Sequence, residues 1–186
     1  MRLFVALGLP EAYQKSLAEL TGRLSKRLDS KITWTKPGAW HLTLKFLGET
    51  KADAMALTQQ ALQTVRFESF ALRAGGAGFF PGLQRPRVIW VGLTQGAPEC
   101  AELSHLVNQA LAPIGCTPET KAFRPHLTLG RIRKDRRDPW RGAVSEIAAI
   151  QWPQIQIDSF ALYESELSPH GPAYTLLQRI AASDVK

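Results

Sequence analysis

The run RLFVALGL (residues 2–9) is continuously apolar and of strand length. Pro10 then opens a helical pattern that puts Leu17, Leu20, Leu24 and Leu28 on one face. A short strand in KITW (31–34) and a turn at KPGA (36–39) lead to WHLTLKFLG (40–48), a strand whose side chains alternate between two faces. Helical periodicity returns in ADAMALTQQALQTV (52–65). Strands are predicted in SFALRA (69–74) and RVIWVGL (87–93), joined by a Gly- and Pro-rich loop, GGAGFFPGLQRP (75–86). PECAELSHLVNQALAPIG (98–115) reads as a helix, FRPHLTLGRIR (123–133) as a strand, and WRGAVSEIAAI (140–150) as a short helix after a loop. The chain closes on IQIDSFALYESEL (155–167), the turn SPHGP (168–172) and AYTLLQRI (173–180), which together read as a hairpin. Helices and strands alternate, but a terminal hairpin excludes a purely parallel sheet, so the class is α+β.

The 186 residues suffice for one domain with a real core, and no linker or low-complexity stretch divides them. The expectation is a single domain, 1–186, of two pseudo-symmetric lobes. Charge changes this picture in one respect. A net charge of +7 favours polyanionic partners. Six basic residues and two acidic ones crowd into RIRKDRRDPWR (131–141). Such a run is either a solvated face or a guide for RNA, with Arg133, Lys134, Arg136 and Arg137 as the candidate contacts. Cys100 and Cys116 form no C-x-x-C pair and read as small buried hydrophobes. Pro10 and Glu11 cut the first apolar run short of a signal sequence, and no run approaches a membrane span, so a cytoplasmic protein is expected.

The tetrapeptide HLTL occurs at 41–44 and again at 126–129, using two of the chain's four histidines. On a strand, His41 and Thr43 share one face about 6.6 Å apart, with Leu42 and Leu44 on the other; His126 and Thr128 repeat this against Leu127 and Leu129. Thr-Lys precedes each copy, with an aromatic residue and a Pro between it and the His. The 85-residue period is close to half the chain. Two such strands side by side would frame a cleft of near two-fold symmetry. His105 and His170 read as ordinary surface residues.

Neither His has a carboxylate or Cys at ligand spacing, so no metal is expected, and no G-x-S-x-G elbow supports a serine hydrolase. The glycines of 75–82 lack the Gly-Lys-Ser/Thr ending of a phosphate loop. General acid-base catalysis fits better. One imidazole takes a proton from a nucleophile and the other gives one to the leaving group, on opposite sides of a phosphorus atom. Thr43 and Thr128 would then donate to nonbridging oxygens. One neutral and one protonated ring predict a bell-shaped pH profile around neutrality.

With RLFVALGLP, HLTLKFLGE, RPRVIWVGL, FRPHLTLGR and LYESELSPHGPAYTLLQRI in this order, the chain resembles the two-histidine (2H) phosphoesterase superfamily. It is most similar to the LigT/ThpR branch, the RNA 2′,3′-cyclic phosphodiesterases or 2′-5′ RNA ligases. The resemblance covers nearly the whole chain. It implies a bilobal α+β fold with two antiparallel-type sheets lining a central cleft and helices outside. It also implies metal-independent, cofactor-free hydrolysis of 2′,3′-cyclic phosphates to 2′-phosphomonoesters. His41 becomes the general acid to O3′, His126 the general base to water, and Thr43 and Thr128 the phosphate ligands. The fifth position after each His, Phe46 and Arg131, becomes a base contact, with Arg131 also near phosphate. Strict alternation puts both on the face opposite the histidines, so that assignment requires each strand to twist or end there.

The partners so implied are RNA ends with a cyclic phosphate, or small cyclic nucleotides, acted on by a monomer away from membranes. The reverse reaction, 2′-5′ joining as on tRNA halves, uses the same chemistry. The competing readings are a non-catalytic RNA-binding module, whose mark would be loss of a histidine, and a phosphodiesterase for another cyclic phosphate or a 2′-5′ oligonucleotide.

Overall fold

A computed structural model of the chain describes residues 1–51, 53–117, 121–168 and 171–183. In chain order the elements are β1 (Arg2–Gly8), α1 (Glu11–Arg27), β2 (Lys31–Trp34), β3 (His41–Glu49), α2 (Ala54–Gln63), β4 (Phe70–Phe80), β5 (Val88–Gln95), α3 (Ala97–Leu111), β6 (Leu127–Lys134), α4 (Trp140–Ala148), β7 (Ile155–Ile157), β8 (Ser159–Ser168) and β9 (Gly171–Ala181). A single 3-10 turn, Ala112–Ile114, follows α3. His170, expected in a turn, lies outside the described residues.

Two antiparallel sheets form, with strand orders β3-β1-β8-β9 and β2-β6-β5-β4-β7. The α+β expectation is met. The sheets, however, are not the two halves of the sequence. β2 leaves the N-terminal half to flank β6 in the second sheet, and β8 and β9 return from the C-terminal half to flank β1 in the first. Helices cross over as well. The Tyr13 hydroxyl of α1 accepts from the Ala74 amide of β4 and donates to the Pro153 carbonyl, which seats α1 on the second sheet. The Ser104 hydroxyl of α3 donates to the Leu44 carbonyl and seats α3 on the first. Leu17, Leu20, Leu24 and Leu28, the predicted helix face, are all buried in one continuous apolar cluster that includes residues of both sheets.

Two expectations are corrected. GGAGFF is strand, not loop: β4 runs through to Phe80, leaving only 81–87 as the connection to β5. Gly75 and Gly78 are there for space, because a Cβ on Gly78 would sit 2.3 Å from the Trp90 ring and one on Gly75 would sit 2.6 Å from Thr94, while Gly76 takes a φ of 69°. The terminal hairpin is real, but its first segment is split. Asp158 interrupts it, and β7 pairs with β4 in the other sheet while β8 pairs with β1 and β9. No described helix is long and apolar enough to cross a membrane.

The basic run begins on β6, continues as a tightly tied loop and enters the first turn of α4. Asp138 is buried and accepts the amides of Asp29 and Ser30, both at 2.8 Å, at the end of α1. Asp135 accepts the Arg137 amide and the Trp140 indole N–H, and the Arg136 amide donates to the Ser30 hydroxyl. The two acids of the run therefore fix the backbone, while Arg133, Lys134, Arg136 and Arg137 keep exposed side chains.

Replacement of Asp138 by Ala leaves two amides without an acceptor, a loss of about 2–3 kcal/mol. Thermal unfolding should fall by roughly 5–10 °C for a chain of this size. Burial opposes the Asp138 charge, but the hydrogen bonds from Ser30 and Asp29 and the nearby Arg136 outweigh it and lower its pKa. Its contribution is thus present above the ordinary carboxylate range and lost as pH falls through the folded value. A D138A melt equal to wild type at neutral pH contradicts this account of the loop.

Candidate active site

β3 and β6 carry the two HLTL segments, and they belong to different sheets; they face one another across the space between the sheets instead of pairing side by side. His41 opens β3, and His126 immediately precedes β6. The two rings are close enough for charge on His126 to disfavour charge on His41.

The same local geometry holds both rings. His41 Nδ1 is 2.9 Å from the Ala39 carbonyl and His126 Nδ1 is 2.7 Å from the Arg124 carbonyl, two residues upstream in each case. A carbonyl can only accept, so the proton of the neutral ring sits on Nδ1 and Nε2 is left as the nitrogen that can take a proton. Aromatic walls back each ring. Phe4 lies 4.7 Å and Tyr174 5.2 Å from His41 between centroids, and Phe80 lies 4.9 Å and Trp90 6.2 Å from His126. Sequence reading did not identify these residues. Phe4 was hidden in a continuous apolar run, and Phe80 in a segment taken for a loop.

Each HLTL strand carries an irregularity at the same place. On β3, Thr43 pairs with Ala6 and Lys45 with Val5, so Leu44 has no partner; on β6, Thr128 pairs with Trp90 and Gly130 with Ile89, so Leu129 has none. One unpaired residue is a β-bulge, and it resets the alternation of faces. Burial follows the reset. Leu44 and Lys45 are buried in succession, as are Leu129 and Gly130, and Phe46 and Arg131 then emerge exposed. The bulge is the break in alternation that placing Phe46 and Arg131 on the face of the histidines requires.

Donors from outside the neighbouring strand anchor both bulges. The Leu44 carbonyl accepts from Ser104 Oγ at 2.9 Å, and the Leu129 carbonyl accepts from the Thr35 amide at 2.9 Å. Thr35 Oγ1 also donates to the Thr128 carbonyl at 2.8 Å. Lys45, unremarked in the sequence, turns to the back of its sheet, where its ammonium donates to Asn108 Oδ1 and the Thr117 carbonyl. Its counterpart is Gly130 because β2 covers β6 there: a Cβ would meet Ile32 at 2.8 Å and Trp34 at 3.0 Å.

Arg131 faces the cleft near enough to influence both His126 and Tyr174. Phe46 stands further out, 61% exposed and 6.2 Å from the Phe4 ring, at the rim of the same aromatic wall. Thr43 and Thr128 are half-buried beside their histidines. Arg133 follows Arg131 along the strand and donates to Thr33 Oγ1. The structure thus gathers His41, His126, Thr43, Thr128 and Arg131, leaves Phe46 at the edge, and puts Lys134 at the end of β6 and Arg136 and Arg137 on the outer loop. Among the described residues no cluster of His, Cys, Asp and Glu is arranged to hold a metal ion.

Comparison with known proteins decides the family. The profile of LigT like phosphoesterases matches the chain twice, over residues 7–90 and 91–174, and each match contains one HLTL segment. The chain belongs to the LigT-like phosphoesterases. An RNA 2′,3′-cyclic phosphodiesterase of Aeropyrum pernix is 32% identical over 88% of this chain and 97% of its own. One from Thermus thermophilus is 34% identical over 97% and 90%. The crystal structure of E. coli LigT complexed with 3′-AMP superposes with a TM-score of 0.76 at 25% identity, covering 98% of both chains. A crystal structure of a Thermus thermophilus protein gives 0.74 at 28%, covering 97% of both.

Burial lowers the pKa of His41 from 6.5 to about 4, against the Ala39 carbonyl, which raises it, with His126 lowering it further. Burial also lowers His126, the Arg124 carbonyl opposing and Arg131 adding to the effect. Each charged form is penalised, so both rings titrate below 6.5 in the empty cleft. A pair that works with one ring protonated is most populated between its two apparent pKa values. The kcat/KM profile should therefore be a bell centred below pH 6.5, not at neutrality, while kcat should peak at higher pH because a bound anion favours both cations. Profiles of kcat/KM and kcat with a nucleoside cyclic phosphate check this; a kcat/KM bell centred at pH 7 or above contradicts it.

Proposed function

We propose that the chain hydrolyses the 2′,3′-cyclic phosphate at an RNA end, or on a nucleoside, to a 2′-phosphomonoester. The observation that carries the reading is the pair of histidines, one from each HLTL segment, each with Nδ1 on a backbone carbonyl, near enough to feel one another's charge and with Arg131 beside His126. The curated relatives, RNA 2′,3′-cyclic phosphodiesterases in name, support the substrate class.

In this mechanism a cyclic phosphate sits between the histidines. The hydroxyls of Thr43 and Thr128 donate to its nonbridging oxygens, and Arg131 offsets the charge that grows as water adds to phosphorus. His126 takes a proton from the attacking water, the P–O3′ bond breaks, and His41 returns a proton to O3′; the net change is addition of one water. In the empty cleft His41 is the ring less willing to hold a proton, so the acid role requires the bound anion to restore its charge. Phe46, at the rim, takes the face of the base. Both histidines come from one chain, so a monomer holds a complete site. The cytoplasm, where RNA ends arise, is the compartment we assign.

Joining such an end to a 5′-hydroxyl, as between tRNA halves, is the same displacement run backwards; water at ~55 M sets the net direction toward hydrolysis unless RNA excludes it.

His41→Ala and His126→Ala should each reduce kcat by about 10²- to 10⁴-fold with the melt unchanged within a few degrees. The double variant should lose far less than the product of the two, because the rings act as one unit. Activity should persist in EDTA. Near-native turnover by either single variant refutes the paired mechanism.

Neutralising Arg133, Lys134, Arg136 and Arg137 together should weaken binding of an RNA oligomer and reduce its salt dependence, with cleavage of a mononucleoside cyclic phosphate nearly unchanged. Equal effects on both substrates, or none on either, make the run a solvated face.

A further inference from the structure

The first sheet presents an ordered row of residues to the cleft. Direct cross-strand partners run Thr43, Ala6, Ala161, Arg179 across β3, β1, β8 and β9, and a second row runs Phe46, Phe4, Tyr163, Leu176. Directly paired residues share a face, and Phe4, which packs on His41, fixes that face as the cleft side. Three strand spacings put the Arg179 backbone roughly 14 Å from that of Thr43, a gap that the arginine side chain narrows.

At that end of the row the chain crosses from one sheet to the other, and a cavity of about 470 Å³ opens. Leu9, Pro10 and Ile155 supply apolar wall, and Arg179, Asp158 and Tyr163 supply polar groups. The cavity adjoins the residues that back His41. Gly8, on its wall, is the cross-strand partner of His41, and the Tyr163 hydroxyl lies 3.4 Å from where a Gly8 Cβ would be. The Tyr163 ring stacks on Phe4 at 5.3 Å, the same ring that packs against His41. The wall is therefore shared, from Tyr163 through Phe4 to the reacting centre.

We propose that this cavity seats the nucleotide next to the terminal one in an RNA substrate, with Arg179 on its phosphodiester. The lining matches the parts of a nucleotide. A guanidinium suits a phosphate oxygen, a carboxylate accepts from a ribose hydroxyl, and apolar wall takes a sugar or base face. The size is that of a single small-ligand site. Arg179 is exposed, and neither a hydrogen bond nor an ion pair from its guanidinium is found among the described residues, so its donors are open to an incoming anion. Nothing in the HLTL segments or the basic loop reaches this end of the cleft; the inference concerns substrate length and rests on the reading of an RNA end as substrate.

The test compares wild type, Arg179→Gln and Arg179→Lys on a mononucleoside 2′,3′-cyclic phosphate and on a short RNA ending in the same nucleotide. It adds anisotropy binding of a labelled RNA of the same length. Arg179→Gln should lower kcat/KM for the RNA by about 5- to 20-fold, mainly through KM, and weaken RNA binding equally. The slope of log Kd against log salt should fall by about 1. The mononucleotide should be cleaved as by wild type, and Arg179→Lys should recover part of the loss. Equal losses on both substrates, or wild-type values on both, overturn the proposal. If wild type turns over neither substrate, the reaction assigned above fails, and the anisotropy arm still decides whether Arg179 contacts RNA.

Discussion

Leu44 and Leu129 have no partner on the strand beside them, and the cleft depends on that. A regular ladder would bring Lys45 and Gly130 forward with the histidines and turn Phe46 and Arg131 into the core. One extra residue reverses this in each copy. It buries a leucine and its successor together, and it returns the fifth position to the face that holds His and Thr. A bulge frees a carbonyl from the ladder, and a freed carbonyl inside a protein must find a donor. Ser104 and Thr35 supply those donors, so the spacing between histidine ring and cleft cation is set by residues that sequence position would not connect with the site.

The interlocked topology explains why both copies stay in register. Each sheet holds strands from both halves of the chain, and α1 and α3 each bind the sheet that their own strand does not continue. Neither half can bury its apolar faces alone, and the opposed histidines are therefore fixed by the folding of the whole chain. Burial makes the rings poor bases and reluctant cations, with His41 the further displaced. The electrostatics of the cleft thus favour a substrate that brings negative charge, and the net charge of +7 on the chain favours its approach.

Much of this was legible in the sequence, and the reasons are local. A repeated tetrapeptide with His and Thr two apart on a strand defines one face by geometry alone. The leucine stripe of α1 and the ends marked by Pro and Gly defined helices correctly, because these signals depend on few neighbours. What escaped detection depends on contacts distant in sequence. GGAGFF looked like a loop, since glycine permits turns, but Gly75 and Gly78 make room for Thr94 and Trp90 on the next strand. The bulges leave no residue signature that a single strand reveals; Lys45 and Gly130 occupy equivalent positions with opposite character because α3 lies behind one and β2 beside the other. Asp135 and Asp138 carry no sequence signal beyond being the two acids of a basic run, and they are the residues that tie it down.

The central claim is that two histidines facing each other from different sheets add one water to a 2′,3′-cyclic phosphate and release O3′. Hydrolysis of a nucleoside 2′,3′-cyclic phosphate in ¹⁸O-labelled water, followed by phosphorus NMR and mass analysis of the product, tests it most directly. The account requires a 2′-phosphomonoester carrying one labelled oxygen. A 3′-phosphomonoester, a product without label, or unchanged substrate contradicts it.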